Sequence, residues 1–427
     1  MFRLRSLLFL SVIALAAGIL PLNAQSVAAG PWSGGVTSDA ATVVARPFSR
    51  LFATLEVSTS SDFAKFLTFG ETSDRPGDQP DMSHFRAVGL KPSTRSSYRI
   101  RVGAQRDEQR TGRFTTLPWE EQAASFRFAF SSGANAGTDH GVYSEIKSGA
   151  PLFFTVTGNL HDAAFGAMDR DGFRAAYESV LFSFTQANLD RTVPLVSTWN
   201  ARDYGAAGSA VPARAAAHAS FREYFPFPTL ADPATPEGTI NHRFTVGRVR
   251  FLGLDVRTER GPAGTALLGA RQLAWPKGEL LAARERYPLT PIISPSAWLS
   301  PPAGHDGWGR YPAKRDALSD WMVEHGITGV CFLSGDGDVL AADDGSNNRY
   351  GTRGGAGFPV FQAGPLDDNG TTGSGPWSHG PVVPQAGEGL FAVVDVLDAE
   401  GAVSVSFRGL NQHGHEKLVK SFWVPAP

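Results

Sequence analysis

The residues best equipped for chemistry stand in one run, Thr198-Trp199-Asn200-Ala201-Arg202-Asp203-Tyr204-Gly205. It follows Val193-Pro194-Leu195-Val196-Ser197, an apolar run that predicts a buried strand. Open α/β sheets place their ligands at the carboxyl ends of such strands. Other candidates carry less. Asp343-Asp344-Gly345-Ser346-Asn347-Asn348 is oxygen-rich but lacks the EF-hand spacing and its terminal Glu, and reads as a polar turn. Gly354-Gly355-Ala356-Gly357 is followed by no Lys-Ser/Thr, so it is not a phosphate loop. His140, His305 and His379 sit in glycine-rich loops and read as surface histidines. No Ser shows the nucleophile-elbow pattern. Cys331, the single cysteine, lies in the core-strand run Gly329-Val330-Cys331-Phe332-Leu333, which excludes an internal disulfide and predicts an inert thiol.

The elements that must hold the central run divide the chain in three. Met1 to Gln25 reads as a signal peptide: Arg3 and Arg5 precede the apolar Leu7 to Leu20, and Ala24 offers a small residue at the cut. An uncleaved anchor is the other reading. The leader implies a periplasmic or secreted protein, and no later stretch is apolar enough to span a bilayer. The formal charge of −2, without long runs, excludes a basic nucleic-acid stripe. Residues 25–118 alternate in short strands (Ala41 to Arg46, Leu51 to Val57, Ser97 to Val102) and predict an all-β sandwich. Gly89-Leu90-Lys91-Pro92-Ser93-Thr94 before Tyr98 resembles the approach to a late fibronectin III strand, with Ser96 where that pattern has a second Tyr. After the linker Thr115-Thr116-Leu117-Pro118-Trp119, residues 119–427 alternate strands and helices, a layered α/β pattern. Predicted strands are Phe126 to Phe130, Leu152 to Val156 and Val249 to Asp255. Predicted helices are Val142 to Lys147, Asp171 to Ala187 capped by Asp171, Ala213 to Tyr224, Ala270 to Arg284 despite Pro276, and Ala313 to His325. Strands resume at Phe358 to Gln362, Leu390 to Val396, Val403 to Phe407 and Leu418 to Val424.

The central run resembles the Trp-Asp-Asp-His-Asp-Tyr-Gly signature of PhoD-type alkaline phosphatases, a branch of the calcineurin-like metallophosphatases. Trp199, Asp203, Tyr204 and Gly205 match. Further pieces follow in order: Leu254-Asp255-Val256-Arg257, Leu268-Gly269-Ala270-Arg271-Gln272 with Trp275, Asp306-Gly307-Trp308-Gly309-Arg310-Tyr311 with Arg315, and Leu333-Ser334-Gly335-Asp336. The resemblance implies an α/β fold, a layered β-sandwich flanked by helices, preceded by an N-terminal all-β immunoglobulin/fibronectin III-like domain. It also implies a two-metal phosphomonoesterase or phosphodiesterase site.

The ligand types that the resemblance requires are largely missing. Ser131-Ser132-Gly133 has no thiolate where the family has Ser-Cys, and Asn159 replaces the bridging Asp of Gly-Asp, although His161 matches one subfamily. Asn200 and Ala201 replace an Asp pair, Arg202 replaces His, and Asp338 replaces the His of Ser-Gly-Asp-x-His. A guanidinium beside a dication at about 4 Å costs about 8 kcal/mol at a dielectric near 20. The resemblance thus implies a catalytically degenerate pseudophosphatase with no cofactor. Its family-equivalent positions are Asn159, Asn200, Arg202, Asp203, Asp336 and Asp338. Arg202, His161 and Arg257 are candidates for holding phosphate, a phosphate ester or another anion. The alternative is an active phosphoesterase with one remodelled site for Ca²⁺, Mg²⁺ or Mn²⁺, drawn from Asn159, His161, Asp162, Asp203, Asp336 and Asp338. A second alternative is an extracellular interaction module with a protein partner.

Overall fold

A computed structural model describes residues 27–49, 52–72, 82–135, 137–163, 169–205, 214–227, 230, 238–301, 306–352, 354–367, 375–399 and 401–425. The predicted leader and His305 lie outside the described residues.

Among the described residues the strands form three sheets. The largest runs Glu416–Pro425, Ala402–Asn411, Leu390–Ala399, Phe126–Ser131, Phe154–Thr157, Leu195–Thr198, Val27–Gly34, Ala41–Pro47 and Ser83–Ala87. Its centre is parallel, with Phe154 opposite both Ala129 and Leu195. These central strands are buried along their whole inner length, which is why they read as continuous apolar runs. The second sheet runs His242–Val246, Val249–Gly253, Thr290–Ser294, Val330–Ser334, Val360–Gln362, Leu340–Asp343 and His379–Val382. It too is parallel at its centre.

The two sheets face each other across one apolar core. Phe128, Phe153, Phe244 and Phe251 interlock there, with Phe128 stacked on Phe153 at 5.1 Å and edge-on to Phe251 at 5.4 Å. Helices cover the outer faces. Gly141–Ser148, Arg170–Leu181 and Arg214–Tyr224 bury Ile146, Tyr177 and Phe221 against the first sheet. Ala270–Ala283 and Pro312–Glu324 bury Leu280, Leu318 and Met322 against the second. This is the layered sandwich flanked by helices that the sequence predicts, after an all-β N-terminal region.

The N-terminal strands divide between sheets. Ala53–Ser58, Leu67–Gly70, Arg95–Val102, Gln105–Arg106 and Gly112–Thr115 make the third sheet. Val27–Gly34, Ala41–Pro47 and Ser83–Ala87 instead extend the first, joined by a parallel pairing of Gly34 with Leu195. Tyr98 is fully buried, and its hydroxyl donates to the Arg191 carbonyl at 2.9 Å, across the junction rather than within its own sheet.

One predicted helix is corrected. Residues 171–187 do not form a single helix capped by Asp171. The helix is Arg170–Leu181, capped by Asp169, whose side chain accepts from the Gly172 amide at 2.9 Å, and a second helix, Phe184–Asp190, follows. The predicted polar turn after Asp343 is present: the Asp343 carboxylate accepts from the Gly345 amide at 3.1 Å and the Asn348 side chain at 2.9 Å.

Candidate active site

The carboxyl ends of the parallel strands of both sheets meet at one place. Phe154–Thr157 leads to Gly158-Asn159, Leu195–Thr198 to Trp199-Asn200, Val249–Gly253 to Leu254-Asp255, and Val330–Ser334 to Gly335-Asp336. The loops touch closely enough to demand glycine. A methyl group at Gly335 would run into the Thr157 carbonyl, and one at Gly158 would lie 2.6 Å from Asn200 Cβ. Asn159, Asp336 and Asp338, three of the family-equivalent positions, all hold left-handed backbone conformations at φ of 54°, 65° and 46°. Non-glycine residues adopt that region rarely and cluster at functional sites when they do.

Asp203 organises one side. It is fully buried, and its carboxylate accepts from the amides of Asn159 at 2.7 Å, Leu160 at 3.1 Å and Asn200 at 2.9 Å. It sits at the third position of the short helix Ala201–Tyr204 and closes a capping box with Asn200. Burial pushes its carboxyl up to about 6, while the three amides pull the other way.

Asn159 has its side-chain amide committed at both ends. Its Nδ2 donates to Asp336 Oδ1 at 3.0 Å, and its Oδ1 accepts from the Arg202 amide at 3.2 Å. Asn200 is equally committed: Nδ2 donates to the Pro295 carbonyl at 3.1 Å, and Oδ1 accepts from Arg257 Nε at 2.8 Å. Arg257 is thus the buried cation of the site. Its Nη2 pairs with Asp306 Oδ2 at 2.7 Å, and Asp306 also pairs with Arg260. Its Nη1 is buried with no acceptor among the described residues. Trp199 Nε1 donates to Asp255 at 2.8 Å, and Asp255 also holds the Arg257 amide at 3.0 Å. Asp255 therefore fixes where the arginine enters.

Asp336 is partly buried. Desolvation pushes it up to about 7, with Arg257 opposing and Asp338 and Asp306 pushing further. Asp338 Oδ1 lies 3.4 Å from where a side chain on Gly133 would begin, which places it beside the first strand's loop.

The structure therefore brings Asn159, Asn200, Asp203, Asp336, Asp338 and Arg257 together. His161, Asp162 and Arg202 neighbour one another instead, with Asp162 and Arg202 both acting on the His161 charge. Arg202 is exposed, and only its backbone amide reaches Asn159. His161 is fully buried edge-on to Tyr177 at 5.4 Å, and burial lowers it to about 4. Asp162 is partly buried next to it. At the position of the missing thiolate, Ser131 and Ser132 donate their hydroxyls to the carbonyls of Leu390 and Ala363 at 2.8 and 3.1 Å. Two residues of the site were not assigned to it from sequence. Asp306, quoted only as the start of a family motif, anchors Arg257, and the buried Gln362 amide would be 2.7 Å from a side chain on Gly337. Both come from distant strands and loops, and no local pattern places either in the site.

The donor set can be tested against a pair of divalent ions. Asp203 is occupied by amides, Asn159 carries no charge, and a guanidinium occupies the centre. Among the described residues no group of three or more His, Cys, Asp or Glu is arranged to hold a metal ion. The arrangement as it stands is an internally hydrogen-bonded cluster around a buried arginine.

Comparisons with known proteins bear on this geometry. The chain is 25% identical over 344 residues to alkaline phosphatase D of Bacillus subtilis (strain 168), a match covering 66% of this chain and 57% of that protein. Among solved structures, one titled as the structure of PhoD superposes with a TM-score of 0.73 at 16% identity, covering 93% of this chain and 90% of the other. A purple acid phosphatase from yellow lupin seeds superposes at 0.59 with 12% identity, over 92% of this chain and 73% of that one. These two show the shared fold. The family model described as PhoD-like phosphatase matches residues 156–379, more than half of the chain and all four of the strand ends named above. The chain belongs to the PhoD-like phosphatase family.

Proposed function

We propose that this protein is a pseudophosphatase of the PhoD-like family, a phosphatase fold that binds phosphate or another oxyanion without a dinuclear metal centre. The observation that carries the reading is Arg257. Its guanidinium is held by Asn200 and Asp306, and one of its nitrogens, Nη1, is buried without an acceptor among the described residues. An oxyanion oxygen would satisfy that donor, since a guanidinium matches the geometry of phosphate. Asp336, titrating near 7, adds a carboxylic acid O–H that can donate to the same anion below that pH. No step of ester hydrolysis follows from these groups, because none of them generates a nucleophile. The predicted leader motivates the further reading that the protein is exported and begins at Gln25.

The test combines three measurements on protein produced with its leader in metal-replete medium. Metal analysis should find less than one divalent ion per chain. A chromogenic phosphate monoester should not turn over. Calorimetry should detect binding of inorganic phosphate that Arg257→Gln weakens at least tenfold. Sulfate, whose charge is constant near neutrality, should bind about tenfold more weakly per pH unit above 7 as Asp336 ionises. Two bound ions with turnover would overturn the reading. One bound Ca²⁺, Mg²⁺ or Mn²⁺ with turnover lost in Asp336→Asn would replace it with a remodelled single-metal enzyme. Protein retained in the cytoplasm with residues 1–24 intact would count against export.

A further inference from the structure

A second cationic site lies far along the chain from the family pocket, where the N-terminal sheet meets the main body. Arg95 and Arg113 lie on the adjacent antiparallel strands Arg95–Val102 and Gly112–Thr115. The register sets Arg95 opposite Thr115 and Ser97 opposite Arg113. Side chains two residues apart share a face, so the two arginines are diagonal neighbours on one side of the sheet, about 7–8 Å apart at the backbone. They line a half-open cavity of about 170 Å³ with Thr115, the loop at Ala150 and Thr192. At about 30 Å³ per water, that is room for about six waters or one tetrahedral oxyanion.

The charge around this cavity is mainly positive, with the Asp107 carboxylate acting on Arg191. Outside the lining, Lys147, at the end of the Gly141–Ser148 helix, is near enough for Arg113 and Arg191 to act on its charge. Among the described residues, none of Arg95, Arg113, Lys147 and Arg191 forms an ion pair with a carboxylate within 4.0 Å. Burial, then Arg95, holds the Arg113 guanidinium below its ordinary range, and burial, then Arg113 and Arg191, does the same to Lys147. Arg191 donates from Nη1 to Asn188 Oδ1 at 3.1 Å, while its Nε is buried without an acceptor among the described residues. Like charges facing one another across paired strands are destabilising, and among the described residues no carboxylate pairs with Arg95 or Arg113. An anion between them would turn that repulsion into charge-assisted hydrogen bonds. The backbone is fixed at this point: the Arg113 amide donates to the Arg191 carbonyl at 3.0 Å, and the Tyr98 hydroxyl donates to the same oxygen at 2.9 Å.

We infer that this cavity is an oxyanion site, in which Arg95 and Arg113, flanked by Lys147, hold a phosphate group, free or as a phosphomonoester, at the seam between the N-terminal strands and the phosphatase body. It is independent of the Arg257 pocket.

The test is calorimetry of the full chain with inorganic phosphate and, separately, with glycerol 3-phosphate, at constant ionic strength. A chloride titration serves as the control. The double substitution Arg95→Gln and Arg113→Gln should remove one saturable binding event, or weaken it at least tenfold, and leave the far-ultraviolet spectrum and melting temperature in the absence of anion unchanged or improved. Lys147→Gln, on a helix rather than the sheet, should weaken the same event on its own. Arg257→Gln should leave the event intact, so loss of the other pocket is distinguishable from loss of this one. Binding of inorganic phosphate alone would mark a free-ion site, and equal binding of the ester an ester site. Unaltered affinity and stoichiometry in the double variant would overturn the inference, as would a chloride response equal to that of phosphate.

Discussion

Single residues show how the pocket's chemistry and the protein's pH response come from burial. Asp190, at the end of the Phe184–Asp190 helix, is almost fully buried, and desolvation pushes its carboxyl up to about 8 while the neighbouring Gln186 amide opposes. An acid raised in the folded state is favoured while it stays protonated in both states. Its contribution is therefore fully present below about pH 4 and is lost as pH rises through 8. Wild-type unfolding free energy should carry a component falling by up to about 1.4 kcal/mol per pH unit across that window. Asp203 and Asp336, raised to about 6 and about 7, act in the same direction, while His161 and His218, lowered to about 4, oppose below pH 6.5. Only a difference measurement isolates Asp190. Asp190→Asn, measured by urea unfolding at pH 5 and pH 8, should lose less stability between the two than the wild type does. Equal losses would show that Asp190 is ionised in the folded protein and satisfied by groups around it.

At the scale of elements, the pocket depends on short pieces that cannot stand alone. The helix Ala201–Tyr204 has only four residues, and a single carboxylate ties its start to the neighbouring strand's loop. Asp203→Ala would leave three buried amides without an acceptor, each worth about 1–3 kcal/mol, so a loss of about 3 kcal/mol or more is expected by denaturant unfolding. Asp203→Asn keeps one acceptor oxygen and should recover part of it. Wild-type stability in both variants would mean that the amides find other partners. Much of this scale was legible in the sequence. The alternating runs around Leu390, Val403 and Leu418 predict strands, and the structure extends each by a few residues to Leu390–Ala399, Ala402–Asn411 and Glu416–Pro425. The frame of the central run likewise marked Asn200 and Asp203. Other elements were hidden for physical reasons. Thr290–Ser294 carries Pro291, which argues against a central strand, yet it lies between Val249–Gly253 and Val330–Ser334. The break after Leu181 was missed because the apolar periodicity continues into Phe184–Asp190. The pairing of Arg257 with Asp306 joins residues that only tertiary contact brings together, and a local pattern could place each in a motif but not in one site.

The whole molecule is held as one body through its first sheet. Val27–Gly34 stands between Leu195–Thr198, a strand that leads into the pocket, and Ala41–Pro47. Trp32 Nε1 donates to the Tyr224 carbonyl at 2.9 Å, and Arg46 pairs with Glu178. Val43, Leu55, Phe85 and Ile100 are buried in the same apolar cluster as Phe130, Leu333 and Phe361. A cut at the Pro118-Trp119 linker would therefore not release a finished body. It would bare the edge of Leu195–Thr198, a row of unpaired amides and carbonyls open to pairing with other chains. It would also strip the apolar cover from part of the shared core. A fragment of residues 119–427 is expected to aggregate or to unfold without a cooperative transition, whereas residues 25–427 should melt in a single step by calorimetry. Tyr98→Phe in the longer chain removes one hydroxyl bond across the junction and should cost about 1 kcal/mol without changing that cooperativity. A soluble 119–427 fragment with a sharp transition would show that the strand ends of the pocket hold their positions without the N-terminal strands, and would separate the two regions as independent folding units.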